Sequence, residues 1–545
     1  MPPNIAVFQN VPDIEPQIYD GPGTYSDLAG TECSKNPLVT GVWDILDFDE
    51  PTPAAIAETD EAKYVVRGEA VIKNEWTGET HELKPGSLLW IPAGSNLSIV
   101  SSKDCRTVYF EAREMVKDEP QDKGQGGVDL ASKLDHFVTG FIKQNPHSNK
   151  AIERAHDSLP GGSTRAVLDA EPFPLVVRSG KGSTLTSVDG NTYTDFVSDF
   201  TAGLFGHSNP DIQQAVIHAA QNGFSLGAIT ELEAQLGESI KERFPSIELI
   251  RYCNSGTEAN AYAIGTALAF SNRKKVLVFD RAYHGGLLSF GGAANELNAP
   301  YDFVHGTYDD IGKTRAVLSF DIGVIIVEPM QSAGGMRPAS KDFLRFLRDA
   351  ATTIGAVLIF DEVVTSRLHY QGLQGVLGVT PDMTTLGKYL GGGLPFGAFG
   401  GKREIMAQYD AKSDSVKKLS HSGTFNNNIF TMTAAVAASK IVTRDAIERI
   451  NALGDRVRES VNKMVEEIGK TGQIITLGVG SCVGIHFAGD DGDVLRELLF
   501  FFLLSKGLWI GRRGFLALNF AHDDADILRF LIALKEFFDL VFTTA

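Results

Sequence analysis

Lys388 follows Leu386-Gly387 and runs into Tyr389-Leu390-Gly391-Gly392-Gly393. A lysine amine attacks carbonyl carbon, and glycines beside it let the backbone approach a flat ring closely. Upstream, Asp361-Glu362 closes the apolar run Val357-Leu358-Ile359-Phe360, where a buried strand would deliver an acid to a site at its carboxyl end. An amine for an aldehyde and a carboxylate for a pyridinium nitrogen are the pair that pyridoxal phosphate requires. Asn254-Ser255-Gly256-Thr257-Glu258-Ala259-Asn260 lies between strand-like and helix-forming segments. At a helix N-terminus, Ser255, Gly256 and Thr257 can cradle a phosphate through backbone N–H groups and the helix dipole, or cap the helix with no ligand. In company with Lys388 and Asp361 the phosphate reading gains weight. Tyr283, in Tyr283-His284-Gly285-Gly286, can stack on a heterocycle or pack as an ordinary core aromatic. Glu328-Pro329-Met330-Gln331 sets a carboxylate and an amide at the end of another apolar run. Either Glu328 or Gln331 can bond a phenolic oxygen or orient a neighbour.

Such residues need a sheet to hold them, and residues 131–545 carry its signature. Lys275-Val276-Leu277-Val278-Phe279, Ile322-Gly323-Val324-Ile325-Ile326-Val327 and Val357-Leu358-Ile359-Phe360 alternate with helix-periodic segments. Continuous apolar runs of this kind predict an α/β fold with a mostly parallel sheet covered on both faces. Asp280, Glu328 and Asp361 each close one run, at the sheet edge where ligands collect. Residues 1–115 read differently: short strand-like runs broken by Gly68, Gly78, Pro85-Gly86 and Pro92-Ala93-Gly94 predict a small all-β barrel or sandwich. Residues 116–130, charged and turn-rich, read as a linker.

At 545 residues the chain is long enough for two or three domains. Its formal charge of −18 repels nucleic acid and acidic membrane surfaces, which excludes both as expected partners. Cys33, Cys105, Cys253 and Cys482 have no paired spacing, which suits a reducing compartment better than a disulfide framework or a zinc knuckle. The first residues, Met1-Pro2-Pro3-Asn4, lack a signal peptide's pattern, and the apolar stretch from Leu498 to Leu504 is too short to span a bilayer. The expected setting is cytoplasmic.

Residues from about 150 onward resemble a class III, fold type I, pyridoxal-phosphate-dependent aminotransferase. The resemblance rests on Asn-Ser-Gly-Thr-Glu-Ala (254–259), Tyr-His-Gly (283–285), Val-Glu-Pro-Met-Gln (327–331), Ile-Phe-Asp-Glu-Val (359–363) and Thr-Leu-Gly-Lys (385–388), in that order. It implies that Lys388 forms a Schiff base with the cofactor and that Asp361 pairs with the ring nitrogen. It further implies that Val363 and Tyr283 sandwich the ring, with Glu328 and Gln331 near it and Gln331 close to the phenolic oxygen. Ser255, Gly256 and Thr257 would hold the phosphate, and Thr424 would complete the phosphate site of a neighbouring subunit, which implies a homodimer. The large cofactor domain would cover about 190–430, between an N-terminal segment and a C-terminal small domain.

Within the class, residues 391–404 resemble glutamate-1-semialdehyde aminomutases. Residues 201–208, 362–368, 421–428 and 512–518 resemble β-amino-acid aminotransferases. In the latter pattern Arg165 matches the arginine holding the substrate carboxylate, and Arg513 matches one used for the keto-acid partner. A planar guanidinium suits both tasks. The implied reaction moves an amino group from a β-amino acid, or a similar amino acid, to a 2-oxo acid. The alternatives are intramolecular amino transfer and a non-catalytic regulator. The N-terminal segment resembles a cupin, with Gly86, Pro92, Gly94, Glu61 and Gly68 fitting its motifs. The histidine positions fall instead in Pro53-Ala54-Ala55-Ile56-Ala57 and near Leu97, so no metal site is expected. Assembly or small-molecule sensing is the role this implies.

Overall fold

The computed structural model describes residues 18–20, 23–30, 38–47, 51–57, 59–111, 130–223, 226–291, 295–414 and 417–542. The chain divides into two compact units, Met1–Gln125 and Gly126–Ala545. The expected linker lies outside the described residues except at its end, where Leu130 already begins the helix Leu130–Gln144.

The first unit is an antiparallel sheet. Its strands are β1 (Ile18–Asp20), β2 (Gly23–Gly30), β3 (Val39–Ile45), β4 (Ala55–Ile56), β5 (Glu61–Asn74), β6 (Thr80–Leu83), β7 (Leu88–Ile91) and β8 (Asn96–Glu111). The two long strands β5 and β8 pair along most of their length and slip register at Val65/Arg67, Arg67/Glu69 and Val71/Ile72. Each slip is a bulge that bends the pair. At Gly68, with φ +69°, a Cβ would stand 1.9 Å from the Asp104 carbonyl oxygen, so only glycine fits the bend. Ile45, Val65, Ala70, Ile72, Leu83, Ile99 and Cys105 form the core inside it.

The second unit is built on a seven-stranded sheet. In chain order its strands are β9 (Leu249–Cys253), β10 (Lys275–Phe279), β11 (Asp302–Gly306), β12 (Ile322–Val327), β13 (Val357–Asp361), β14 (Met383–Gly387) and β15 (Gly397–Gly401). Across the sheet they run β9-β15-β14-β13-β12-β10-β11, and β15 alone is antiparallel to its neighbours. Every residue of β12, β13 and β14 is buried, as expected of strands covered on both faces. Alternation sorts them: Leu277, Ile325 and Leu358 pack under helix α2 (Lys341–Ile354), while Val278, Ile326 and Ile359 pack under helix α1 (Gly256–Ser271). A separate core joins Phe141 to the C-terminal elements around Phe501, Phe530 and Phe537.

The carboxyl ends of β12, β13 and β14 deliver Glu328, Asp361 and Lys388 to one side. Asp280, which ends β10, is taken instead by the backbone N–H of Tyr308 at 2.6 Å and is structural. Cys105, Cys253 and Cys482 are buried free thiols; burial pushes Cys105 up to about 11 and Cys253 up to about 12. Among the described residues no helix is long and apolar enough to cross a membrane, and no cluster of His, Cys, Asp and Glu could hold a metal ion.

Candidate active site

A cavity of about 720 Å³ opens at these strand ends, and Thr257, Tyr283, Glu328, Asp361, Val363 and Lys388 all line it. Arg165 and Arg513 line it too. The site is therefore one place, assembled from segments far apart in sequence.

Asp361 is 4% exposed and held from several directions. Its Oδ2 accepts the Asn260 amide at 2.8 Å and meets His284 Nδ1 at 2.7 Å, while its Oδ1 accepts the Val363 N–H at 3.0 Å. Thr385 fixes Asn260 in turn, donating to its Oδ1 at 2.6 Å. Burial opposes a charge on His284, but the Asp361 hydrogen bond and charge outweigh it, so the His284 pKa is raised. The carboxylate is locked in orientation before any ligand arrives. Glu328 accepts the Tyr283 N–H at 3.1 Å, and burial pushes its pKa up to about 7.

Lys388 begins the turn after β14 with φ +53°, a conformation that costs about 1–2 kcal/mol in a non-glycine residue. Its Nζ donates to the Phe200 carbonyl at 2.7 Å. That carbonyl belongs to Ser198, Asp199, Phe200 and Thr201, all at positive φ: a single left-handed turn of ordinary residues. Strain of this kind persists where the surroundings over-determine it. Here Asp195 accepts the Val197 and Ser198 N–H groups, the Ser198 hydroxyl donates to the Ala517 carbonyl, and the buried Arg367 donates to the Thr201 and Leu518 carbonyls. The same turn presents Asp199 to Arg165 at 3.0 Å and sets the Phe200 ring 5.1 Å beneath its guanidinium. Sequence reasoning missed this turn, along with the roles of Asn260, His284 and Arg367, although all three residues sit inside segments quoted above.

Burial lowers the Lys388 amine to about 8; Arg165 and Arg367 push the same way, and Asp199 and Asp361 push back. Its nucleophilic free base is therefore populated at lower pH than in an ordinary lysine. The rate at which apoprotein recombines with pyridoxal phosphate, followed by stopped-flow absorbance, is expected to climb with pH and level off above about 8. A climb continuing to the ordinary lysine value of about 10.4 would contradict this.

The N-terminus of helix α1 opens onto the cavity through Gly256 and Thr257. Ser255 caps it, its Oγ accepting the Glu258 N–H at 3.1 Å, so the hydroxyl proton remains available to a ligand. Gly256 faces Val363, whose Cγ1 would lie 3.0 Å from a Cβ there, and at Gly285 (φ +114°) a Cβ would strike Thr257 Oγ1 at 2.3 Å. These close approaches leave a slot beside a helix N-terminus with a fixed carboxylate and a lysine at its rim, which fits a flat phosphorylated ring.

One expectation shifts. Gln331 does not line the cavity: it is fully buried, donates through Nε2 to the Asp280 carbonyl at 2.6 Å, and leaves Oε1 without a partner. Its neighbours Met330 and Ser332 line the cavity instead, and the Glu328 carboxylate stands at the same wall. Thr424 also stands outside this cavity, exposed beside Phe425, which is 61% exposed. Among the described residues Arg513 donates only to the Ala333 carbonyl, at 3.4 Å.

A model of the class-III aminotransferase family matches residues 167–523. The β-phenylalanine transaminase of Variovorax paradoxus is 43% identical over 413 residues, covering 73% of this chain and 94% of that protein. The glutamate-1-semialdehyde 2,1-aminomutase 2 of Bacillus licheniformis is 36% identical over 371 residues, covering 64% and 84%. Among solved structures, the β-phenylalanine aminotransferase of Variovorax paradoxus superposes with a TM-score of 0.73 at 41% identity, covering 75% of this chain and 97% of that one.

Proposed function

The chain belongs to the class-III aminotransferases and is a pyridoxal-phosphate-dependent transaminase of fold type I; from that premise we propose that it transfers the amino group of a β-amino acid to a 2-oxo acid. The observation that carries this is the pair Arg165 and Arg513 on the wall of the cavity that holds Lys388. Two guanidiniums give each carboxylate substrate its own planar partner. The likeness to β-phenylalanine transaminase, at 43% identity, supports the same donor class.

In this reading Ser255, Gly256 and Thr257 receive the cofactor phosphate, Tyr283 and Val363 lie against the ring, and Asp361 keeps a proton on the ring nitrogen. Glu328, rather than Gln331, is the polar side chain nearest the ring's oxygen. Bound, the cofactor supplies a carbonyl for the amine and a ring that takes up the electron pair left behind when carbon loses its proton. Lys388 Nζ takes that proton from the amine-bearing carbon. Asp199 gives Arg165 a resting partner that a substrate carboxylate replaces. Thr424 completes the phosphate site of a second copy in a homodimer, which its exposure on a loop with Phe425 supports. The buried free thiols suit a cytoplasmic setting.

The test is amino transfer from β-phenylalanine with and without 2-oxoglutarate or pyruvate. Product that requires the 2-oxo acid is the expected result. Amino transfer within one substrate, needing no acceptor, would favour the aminomutase reading, and no transfer from any donor would return the chain to a regulator. Arg165→Ala is expected to lower kcat/KM for the β-amino acid by roughly 10- to 100-fold, and Arg513→Ala to do so for the 2-oxo acid, as loss of a charge-assisted bidentate contact implies. Steady-state kinetics varying each substrate separately read the two effects.

A further inference from the structure

We propose that the N-terminal unit carries a second small-molecule site, within its bent sheet, for a free amino acid with an apolar side chain. A cavity of about 640 Å³ lies there, in the size range of ligand pockets. The pairing registers explain its lining. Lys63 stands opposite Tyr109, Val65 opposite Thr107, and Thr107 opposite Trp43, so alternate residues of three strands face inward together. Apolar side chains, among them Ile72, Leu97 and Ile99, make up most of the remaining walls, with Thr52, Glu61 and Glu111 as the polar members.

An apolar cavity has no use for charge unless something answers it. This one holds an ion pair, Lys63 Nζ to Glu61 at 2.6 Å, with both side chains largely withdrawn from solvent. The Lys63 ammonium rests over the Trp43 ring at 4.5 Å and the Tyr109 ring at 5.4 Å, which fixes its height in the cavity. On the same face, Thr107 is 1% exposed and its buried hydroxyl has no hydrogen-bond partner among the described residues, a state that native interiors avoid. A carboxylate, an ammonium and an unanswered hydroxyl side by side complement a zwitterion. The ligand's carboxylate meets Lys63 and Thr107, its ammonium meets Glu61, and its side chain lies against Ile72, Leu97 and Ile99. Glu111, opposite Glu61, already accepts the Thr59 hydroxyl at 3.0 Å and is not needed. The proposal does not rest on the transaminase reading.

N,N-Dimethylleucine is the probe, because its tertiary amine keeps the zwitterion and cannot condense with pyridoxal phosphate. Titrated calorimetrically into the full-length holoenzyme, it is expected to bind. It should bind about tenfold or more tighter than 4-methylpentanoate, which has only the anion, or N,N-dimethyl-3-methylbutylamine, which has only the cation. Lys63→Met is expected to weaken binding. Leu97→Trp, which fills the cavity and spares both charges, is expected to abolish it with transamination intact, so a folding defect is distinguishable. Arg165→Ala should leave binding unchanged, separating this site from the active site. No binding at millimolar probe, equal binding of the singly charged analogues, or binding that survives Leu97→Trp would overturn the proposal.

Discussion

Lys388→Ala is expected to abolish transamination while leaving the protein folded and able to hold its cofactor. Lys388 is the one lysine among the described residues that line the active-site cavity, so no neighbour can replace its amine. On the proposed reading two functions would be lost together: covalent attachment of the cofactor and proton transfer at the reacting carbon. Loss of a positioned proton carrier alone costs about 10²–10⁴ in rate, and loss of the nucleophile adds to it. The visible absorption band of lysine-bound cofactor should vanish, replaced by that of the free aldehyde. Added methylamine should restore part of the turnover, because a small amine can enter where the side chain was. The fold should suffer little, since the substitution removes one hydrogen bond to the Phe200 carbonyl and leaves the anchors of that turn in place. Undiminished activity would remove Lys388 from the mechanism. A variant that cannot be rescued and retains no cofactor would show it to be a structural residue.

The sequence made the delivery system legible. Continuous apolar runs ending in Asp280, Glu328 and Asp361 predict parallel strands with chemistry at their carboxyl ends, and β10, β12 and β13 have that form. Less legible was whatever depends on partners remote in sequence. Asn260 and His284 appear in quoted motifs, yet their role exists only because the fold brings them to Asp361 across 101 and 77 residues. The left-handed turn at Ser198–Thr201 has no signal of its own, because its residue types do not favour positive φ. It exists because Arg367, Asp195 and Ser198 hold it, and nothing in the segment 362–368 says that Arg367 reaches the Thr201 carbonyl 166 residues away. Gln331 stands apart for a simpler reason. Its neighbours Met330 and Ser332 line the cavity while its own amide turns to the Asp280 carbonyl, an orientation that a likeness between motifs does not carry.

Asp361→Asn should produce the other large effect, a fall in kcat of about 10²–10⁴, because a neutral amide cannot keep a proton on the ring nitrogen. The cause would be electrostatic as well as local. Asp361 Oδ2 takes donors from Asn260 and His284, and Oδ1 takes the Val363 N–H. An asparagine can offer its oxygen to only one of these sides, and its NH₂ must then oppose a donor on the other. A buried donor without an acceptor costs about 1–3 kcal/mol, so a lowered melting temperature is also expected. This loss carries a pH signature through His284, whose pKa Asp361 raises. A histidine with a raised folded pKa contributes stability that is full below its unfolded value of about 6.5 and fades as pH rises through the folded value. Losing its partner should therefore cost more near pH 6 than near pH 9, by about a few degrees in melting temperature. Thermal melts of both proteins across that range, beside kcat measured at saturating substrates, separate the two consequences. A deficit independent of pH would sever His284 from the effect, and an unchanged kcat would mean that the carboxylate only orients the site, leaving the ring nitrogen to another group.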